Sequence, residues 1–360
     1  MYCPYIGSHF LDQNDTQYFN LSGMLLYDSL IGDRMVQGVI SAAYHVDYWS
    51  NVMPLNQTTM DSIHRMSADC GYNDYVDHYL TFPPPGTQPA VPPGTQDECP
   101  LFLTIFLALR AVSPSWDIYQ ISQLPPMLSD PLNVFNLSDR EPWLNRADVK
   151  KAINAPDKDW VGCLLYSPIG HGTGFDDSEK PIVHVLPKVV DATKNVIISH
   201  AMNDFIFNAN GTLLTLQNMT WGGQLGFQSQ PNSPLFVPYQ DGAPSVIPPD
   251  PNVPDIRVEV HFTLPASGVL GTTHTERGLT WNLVMNAGHM TPMFQPALAY
   301  RQVEVLLGRV SNMSSTYPFV ISPNGSTEGA RAQPGPDELG PPVGPILGRV
   351  AAEGPDSSYP

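Results

Sequence analysis

The sequence predicts an α/β fold, in which the strands of one sheet alternate with helices. Three observations carry that expectation. The stretch NVIISHAMND (195–204) holds a β-branched run that reads as a buried strand. NLSGMLLYD (20–28) and WNLVMNAG (281–288) read as further strands of the same kind. Between them stand stretches with apolar residues at helical spacing, and strands separated by helices pack as a mostly parallel sheet.

Each element follows in order. Residues 2–13 (YCPYIGSHFLDQ) read as a short helix ending in a polar turn at Asn14–Thr16. Residues 34–66 are mostly helical, with Met35, Val39, Ala42 and Ala43 at helical spacing. CGYNDYVDHYL (70–80) is an aromatic-rich helix, stopped by the proline-rich FPPPGTQPAVPPG. PLFLTIFLALRAV (100–112) is expected to be a buried helix, too short to span a membrane, and NRADVKKAINA (145–155) a helix with Arg146 or Asp148 in its first turn. Residues 228–255 read as a proline-rich insertion, and IRVEVHF (256–262) as the sheet partner of 281–288. QPALAYRQVEVLLGRV (295–310) closes the folded part as an amphipathic helix. The Pro/Gly-rich residues 323–360 lack periodicity and read as a disordered tail.

Composition narrows the function. The 360 residues include 42% hydrophobic and 14% charged residues and 38 prolines, which fits a folded, loop-rich protein rather than a disordered one. The formal net charge of −17 disfavours nucleic acid and anionic membranes as partners. No apolar run reaches the ~18 residues that a membrane span needs. The cysteines are Cys3, Cys70, Cys99 and Cys163, which allow three pairings. None forms a CxxC or a Cys/His cluster of zinc spacing, so neither a metal site nor a cofactor is expected. Asn-x-Ser/Thr sequons stand at Asn14, Asn20, Asn56, Asn136, Asn210, Asn218, Asn312 and Asn324. Their density points to a glycosylated protein of the secretory pathway, extracellular or vacuolar. The N-terminus has no basic segment of a secretory signal, so an N-terminal piece is expected to be missing.

Two loops just past apolar strands carry the residues of interest. SHAMNDFIFN (199–208) places Asp204 after one strand, and NAGHMTP (286–292) places His289 after another. In open α/β sheets, reactive side chains gather at the carboxyl ends of strands. An acid followed later in the chain by a histidine, each at a strand end, is the α/β-hydrolase order. The plainer alternatives are a turn or cap residue for Asp204 and a packed loop histidine for His289.

The wording around these residues is similar to that of the serine carboxypeptidases. Those proteins carry GDxDFICN around the triad acid, where this chain has SHAMNDFIFN, and GAGHMVP around the histidine, where this chain has NAGHMTP. WLNRADVKKAINA (143–155) resembles their YLN-x-x-x-VKxA helix, and residues 70–86 resemble CGYxxYxxxYLTFPPPG. The resemblance covers about residues 2–310. It implies an α/β-hydrolase fold over 1–322 with a cap-like helical insertion at about 34–150. It also implies Asp204 as triad acid, His289 as triad base, and Met290 as a residue shaping the pocket for the substrate's last residue. The implied substrates are peptide or protein C-termini.

The departures matter as much. The chain opens MYCPYIG, which resembles the residues just after the family's GESYAG, and no G-x-S-x-G occurs elsewhere. The nucleophilic serine, the central strands before it and the NGGPGCSS oxyanion segment are therefore expected to lie outside this chain. A chain without them is expected to hydrolyse nothing at a useful rate. The resemblance implies that Cys163 lacks its family partner. It also shows Ser115 where relatives have a cysteine, which leaves the partner of Cys70 open with Cys99 as one candidate, and Phe207 in place of another cysteine. A non-catalytic glycoprotein and an acyltransferase on the same scaffold are the competing readings.

Overall fold

The architecture below is that of a computed structural model, which describes residues 2–91, 99–114, 116–122, 143–160, 176, 178–238, 245–246, 259–260 and 267–316. Residues 323–360, Cys163, Ser115, Asn136 and Asn324 lie outside the described residues.

The chain opens with α1 (Tyr2–Gln13) and β1 (Met24–Tyr27), as the sequence leads one to expect. Five helices follow: α2 (Arg34–Gly38), α3 (Ala42–Tyr48), α4 (Gln57–Asp69), α5 (Tyr72–Tyr79) and α6 (Leu101–Val112). Then come α7 (Ala147–Ala152), α8 (Val185–Thr193), β2 (Val196–Ala201) and α9 (Ala209–Gln217). Two small ribbons pair β3 (Thr220–Trp221) with β4 (Gln224–Leu225), and β6 (Ser245–Val246) with β7 (Glu259–Val260). The remaining elements are β5 (Ser233–Val237), β8 (Gly268–Glu276), β9 (Leu279–Val284), α10 (Thr291–Phe294) and α11 (Pro296–Leu306).

The main sheet has the order β1-β2-β9-β8-β5. β1, β2 and β9 run parallel, with Met24 opposite Val196 and Ala201 opposite Val284. All six residues of β2 and all six of β9 are buried, as expected of parallel strands covered on both faces. β8 and β5 then add antiparallel, so the sheet is mixed rather than parallel throughout.

This corrects two expectations. The partner of β9 is β8, not residues 256–262; of that stretch only Glu259–Val260 is described, and it pairs with Ser245–Val246. The proline-rich 228–255 also contributes a sheet strand, β5. β8 hides in the sequence because GVLGTTHTE has two glycines and no apolar alternation. Gly271 is required there: at φ +140° a Cβ would fall 1.8 Å from the Leu283 carbonyl oxygen. The β8–β9 hairpin turns on Arg277 and Gly278, both at positive φ, which is the two-residue turn that matches strand twist.

The core divides along the same lines. One cluster, including Leu26, Val189, Ile198, Leu213 and Trp281, seals a face of the sheet beneath α8 and α9. Another gathers α2 to α6 around Val39, Ile40, Ile63, Tyr72 and Ile105, with a disulfide joining Cys70 to Cys99 across a Cα separation of 6.2 Å. α6, expected as a buried helix, is buried along one face only. Leu101, Ile105 and Leu109 point inward while Leu103 and Leu107 are more than half exposed, so its apolar run covers both faces of a half-buried helix. Asp148 lies in the first turn of α7, and Arg146 precedes it as the cap residue. No helix among the described residues is long and apolar enough to cross a membrane.

Gln37, wholly buried, fixes the chain leaving β1. Its side-chain carbonyl accepts from the Ile31 and Gly32 amides at 2.8 and 2.7 Å. Its amide group donates to the Ser29 carbonyl and to Thr212 Oγ1 on α9 at 3.1 and 2.9 Å. A buried amide that meets all its donors and acceptors holds one arrangement, because any slip leaves polar atoms unpaired.

Candidate active site

The parallel core brings three strand ends together. β1 ends at Tyr27 and is followed by Asp28; β2 ends at Ala201, three residues before Asp204; β9 ends at Val284, five residues before His289. Backbone bonds stitch the loops: the Met202 amide donates to the Val284 carbonyl at 2.9 Å, and the Asn203 amide to the Ala287 carbonyl at 2.9 Å.

Asp204 and His289, 85 residues apart in sequence, meet through a 2.7 Å contact between His289 Nδ1 and Asp204 Oδ2. A carboxylate can only accept, so Nδ1 carries the proton and Nε2 faces outward as the basic nitrogen. Asp204 is wholly buried, whereas the His289 side chain keeps 29% of its surface. The other Asp204 oxygen accepts from the Ile206 amide at 3.0 Å and more loosely from the Phe207 amide at 3.4 Å. Burial pushes the Asp204 carboxyl up to about 6, against the lowering pull of His289 and of those amides. For His289 burial works downward, but the hydrogen bond and charge of Asp204, with the charge of Asp28, outweigh it and raise the imidazole. The pair is an oriented base: a fixed tautomer, a buried anion behind it and an accessible nitrogen in front.

The segment that follows α6 threads between the two loops. The Ile118 carbonyl accepts from the Phe205 and Ile206 amides at 3.0 and 3.2 Å, the Tyr119 carbonyl from the His289 amide at 2.7 Å, and the Ile121 amide donates to the Asn203 carbonyl at 3.1 Å. The passage needs Gly288, where a Cβ would sit 2.2 Å from the Tyr119 carbonyl oxygen. Phe205 anchors the same loop among His45, Phe102 and Trp116, at ring-centroid distances of 5.1 to 5.6 Å. The rings of Tyr119 and Phe207 flank the imidazole at 5.3 and 6.2 Å. Met290 follows the histidine and is 55% exposed, with Met293 also exposed one turn on.

Sequence reasoning missed Asp28 and His200. His200 Nε2 lies 3.8 Å from both Asp28 Oδ1 and Asp204 Oδ2. One ligand atom from each of these buried residues could come within 4.8 Å of the others, a spacing that metal sites share. The hydrogen bonds speak for a different use. His200 Nε2 stands 2.5 Å from the Phe207 carbonyl, which can only accept, so this nitrogen is protonated and offers no lone pair. Burial holds His200 near 3, so the ring stays neutral. The two carboxylates are likewise engaged with donors. Asp28 obeys the strand-end rule that singled out the other two, so the signal was present in MLLYD.

The fold and this dyad define an α/β hydrolase. The family model for serine carboxypeptidases matches residues 1–308, so the chain belongs to that family. It is 37% identical over 320 residues to a probable serine carboxypeptidase of Arthroderma benhamiae, covering 87% of this chain and 57% of the relative. It is 36% identical over 321 residues to serine-type carboxypeptidase F of Aspergillus niger, covering 86% and 59%. In backbone it is similar to a prohormone-processing carboxypeptidase from Saccharomyces cerevisiae, with a TM-score of 0.53 at 17% identity, covering 87% of this chain and 61% of that one. The chain thus spans between half and two thirds of the length of these relatives.

Proposed function

We propose that this chain carries the acid–base part of a serine-type carboxypeptidase, with Asp204 orienting His289 and the nucleophilic serine supplied by sequence N-terminal to these 360 residues. The observation that carries the reading is the 2.7 Å contact between His289 Nδ1 and a wholly buried Asp204. In the complete enzyme His289 Nε2 takes the serine proton as the hydroxyl attacks the last peptide carbonyl, then passes it to the departing amino acid. Asp204 stays ionised and stabilises the imidazolium. The acyl group left on serine is hydrolysed by water that the same histidine activates. Met290, with the flanking Tyr119 and Phe207 rings, lines the place of the peptide's last side chain. The helices within 34–150 act as a cap over the strand ends. The 360 residues contain no G-x-S-x-G segment, and alone they are expected to hydrolyse no peptide.

The test is covalent labelling. The 360-residue chain is expected to leave a fluorophosphonate unreacted, while a longer product of the same gene that includes a GESYAG segment is labelled. Labelling of the longer product that persists undiminished in His289→Ala would overturn the proposal.

The reading extends to the compartment. Four sequon asparagines, Asn14, Asn20, Asn56 and Asn312, are exposed and open to glycans, as in a secreted or vacuolar protein. Asn210 and Asn218 do not fit so well. Both are half-buried; Thr212 of the first sequon is buried against Gln37, and Asn218 Oδ1 accepts from the Gln88 amide at 2.8 Å.

A further inference from the structure

We propose that Asp28 is a third carboxylate of this site, a positioning residue that ties the His289 loop to the ends of β1 and β2. The proposal deepens the reading of Asp204 and His289 as an acid–base pair and rests on it.

The geometry is a three-way junction. Asp28 is 3% exposed and follows β1 in the left-handed region, at φ +45°, which turns its side chain toward the neighbouring strand ends. Oδ1 accepts from the Ala201 amide, at the end of β2, at 2.7 Å. Oδ2 accepts from Thr291 Oγ1 at 2.7 Å. Thr291 is wholly buried, begins α10 and lies two residues beyond His289. The base loop is therefore held on both sides: at the His289 amide by the Tyr119 carbonyl, and at Thr291 by Asp28. A non-glycine residue at positive φ is a costly choice for a strand end, and the junction is what retains it.

Charge supports the same role. Both Asp28 oxygens face donors, the pattern of an ionised carboxylate, which can only accept. The titratable groups facing it are Tyr27 beside it in β1, His200 of β2, Asp204 in the next loop and His289. Burial, then the charge of Asp204, raises Asp28 well above the usual carboxylate range, while Thr291, the Ala201 amide and His289 pull it back. His200 is neutral, so of these groups only His289 can carry positive charge near neutral pH. Asp28 therefore favours the imidazolium, the state a base reaches when it has taken a proton.

The test reads the His289 ring by NMR in the full 360-residue chain and needs no activity. Asp204→Asn comes first and is expected to lower the His289 pKa; no change there would end the acid–base reading itself. Asp28→Asn keeps the shape and removes the charge. It is expected to lower the His289 pKa by about half to one unit, a roughly three- to tenfold lower ratio of imidazolium to imidazole at a given pH. Thr291→Val keeps the charge and removes the tie; it leaves a buried carboxylate oxygen without its donor and so lowers Tm, and it should speed solvent exchange of the Nδ1 proton at temperatures well below that Tm. Should Asp28→Asn fail to fold, Thr291→Val decides alone. Ring exchange unmoved in Thr291→Val, in a chain where Asp204→Asn does move the ring, overturns the role of Asp28.

Discussion

In the proposed acid–base pair, Asp204 and His289 divide one task by their surroundings. The acid sits in a dry niche where water cannot screen it, and the base stands at the rim where a proton can arrive and leave. Asparagine at 204 keeps the shape but presents an amide that can donate to Nδ1, so the imidazole turns its basic nitrogen inward. In the longer, serine-bearing polypeptide Asp204→Asn is expected to lower kcat by about 10⁴, read with a blocked dipeptide substrate, while Tm stays close to the parent's. These two residues were legible in sequence because each follows an apolar run that could only be a buried strand. Asp28 was as legible by the same rule but has no counterpart in the quoted motifs. His200 was not, since nothing in VIISHA says that a histidine in a buried strand would donate to the backbone carbonyl of Phe207, seven residues on.

At the scale of elements, a strap of backbone holds the dyad in addition to the bonds between its own loops. Residues 118–121 bond to both the acid loop and the base loop, and none of those bonds uses a side chain. Such a strap cannot be read from residue types, because its bonds are made by backbone groups that every residue shares. Two consequences are measurable. Gly288→Ala should displace the Tyr119 carbonyl and detach His289 from Asp204, seen as loss of the raised imidazole pKa in the ring titration. Phe205→Ala removes the aromatic plug that joins the acid loop to α3 and α6, and is expected to cost about 3–5 kcal/mol in denaturant unfolding. The parallel strands were plain in the sequence because β-branched runs covered on both faces leave an unbroken apolar record. β8 left none, because its glycines serve close backbone approach and its threonines bond within the sheet.

Across the whole molecule, buried histidines link folding to acidity. His45 and His200 are both held near 3 by burial, against about 6.5 in an unfolded chain. Between those values the unfolded chain binds protons that the folded one refuses, so each histidine withdraws stability as pH falls from about 6.5 toward 3. Asp204, raised to about 6, works the other way: it contributes stability at low pH that is lost as pH rises through that value. His45 can be isolated, since its Nε2 has no hydrogen-bond partner. His45→Gln should gain on the parent by up to roughly 1.4 kcal/mol per pH unit on acidification below 6.5, measured as the difference between their urea unfolding free energies. The sheet order has a last consequence. β2 and β9 are immediate neighbours, so the dyad inherits its spacing from an inter-strand distance that no distant insertion can stretch. Of the described elements between residues 202 and 278, β8 and β5 lie on the outer flank of β9, while α9 packs against β2. An insertion within that interval is therefore expected to leave the 2.7 Å contact of His289 with Asp204 in place.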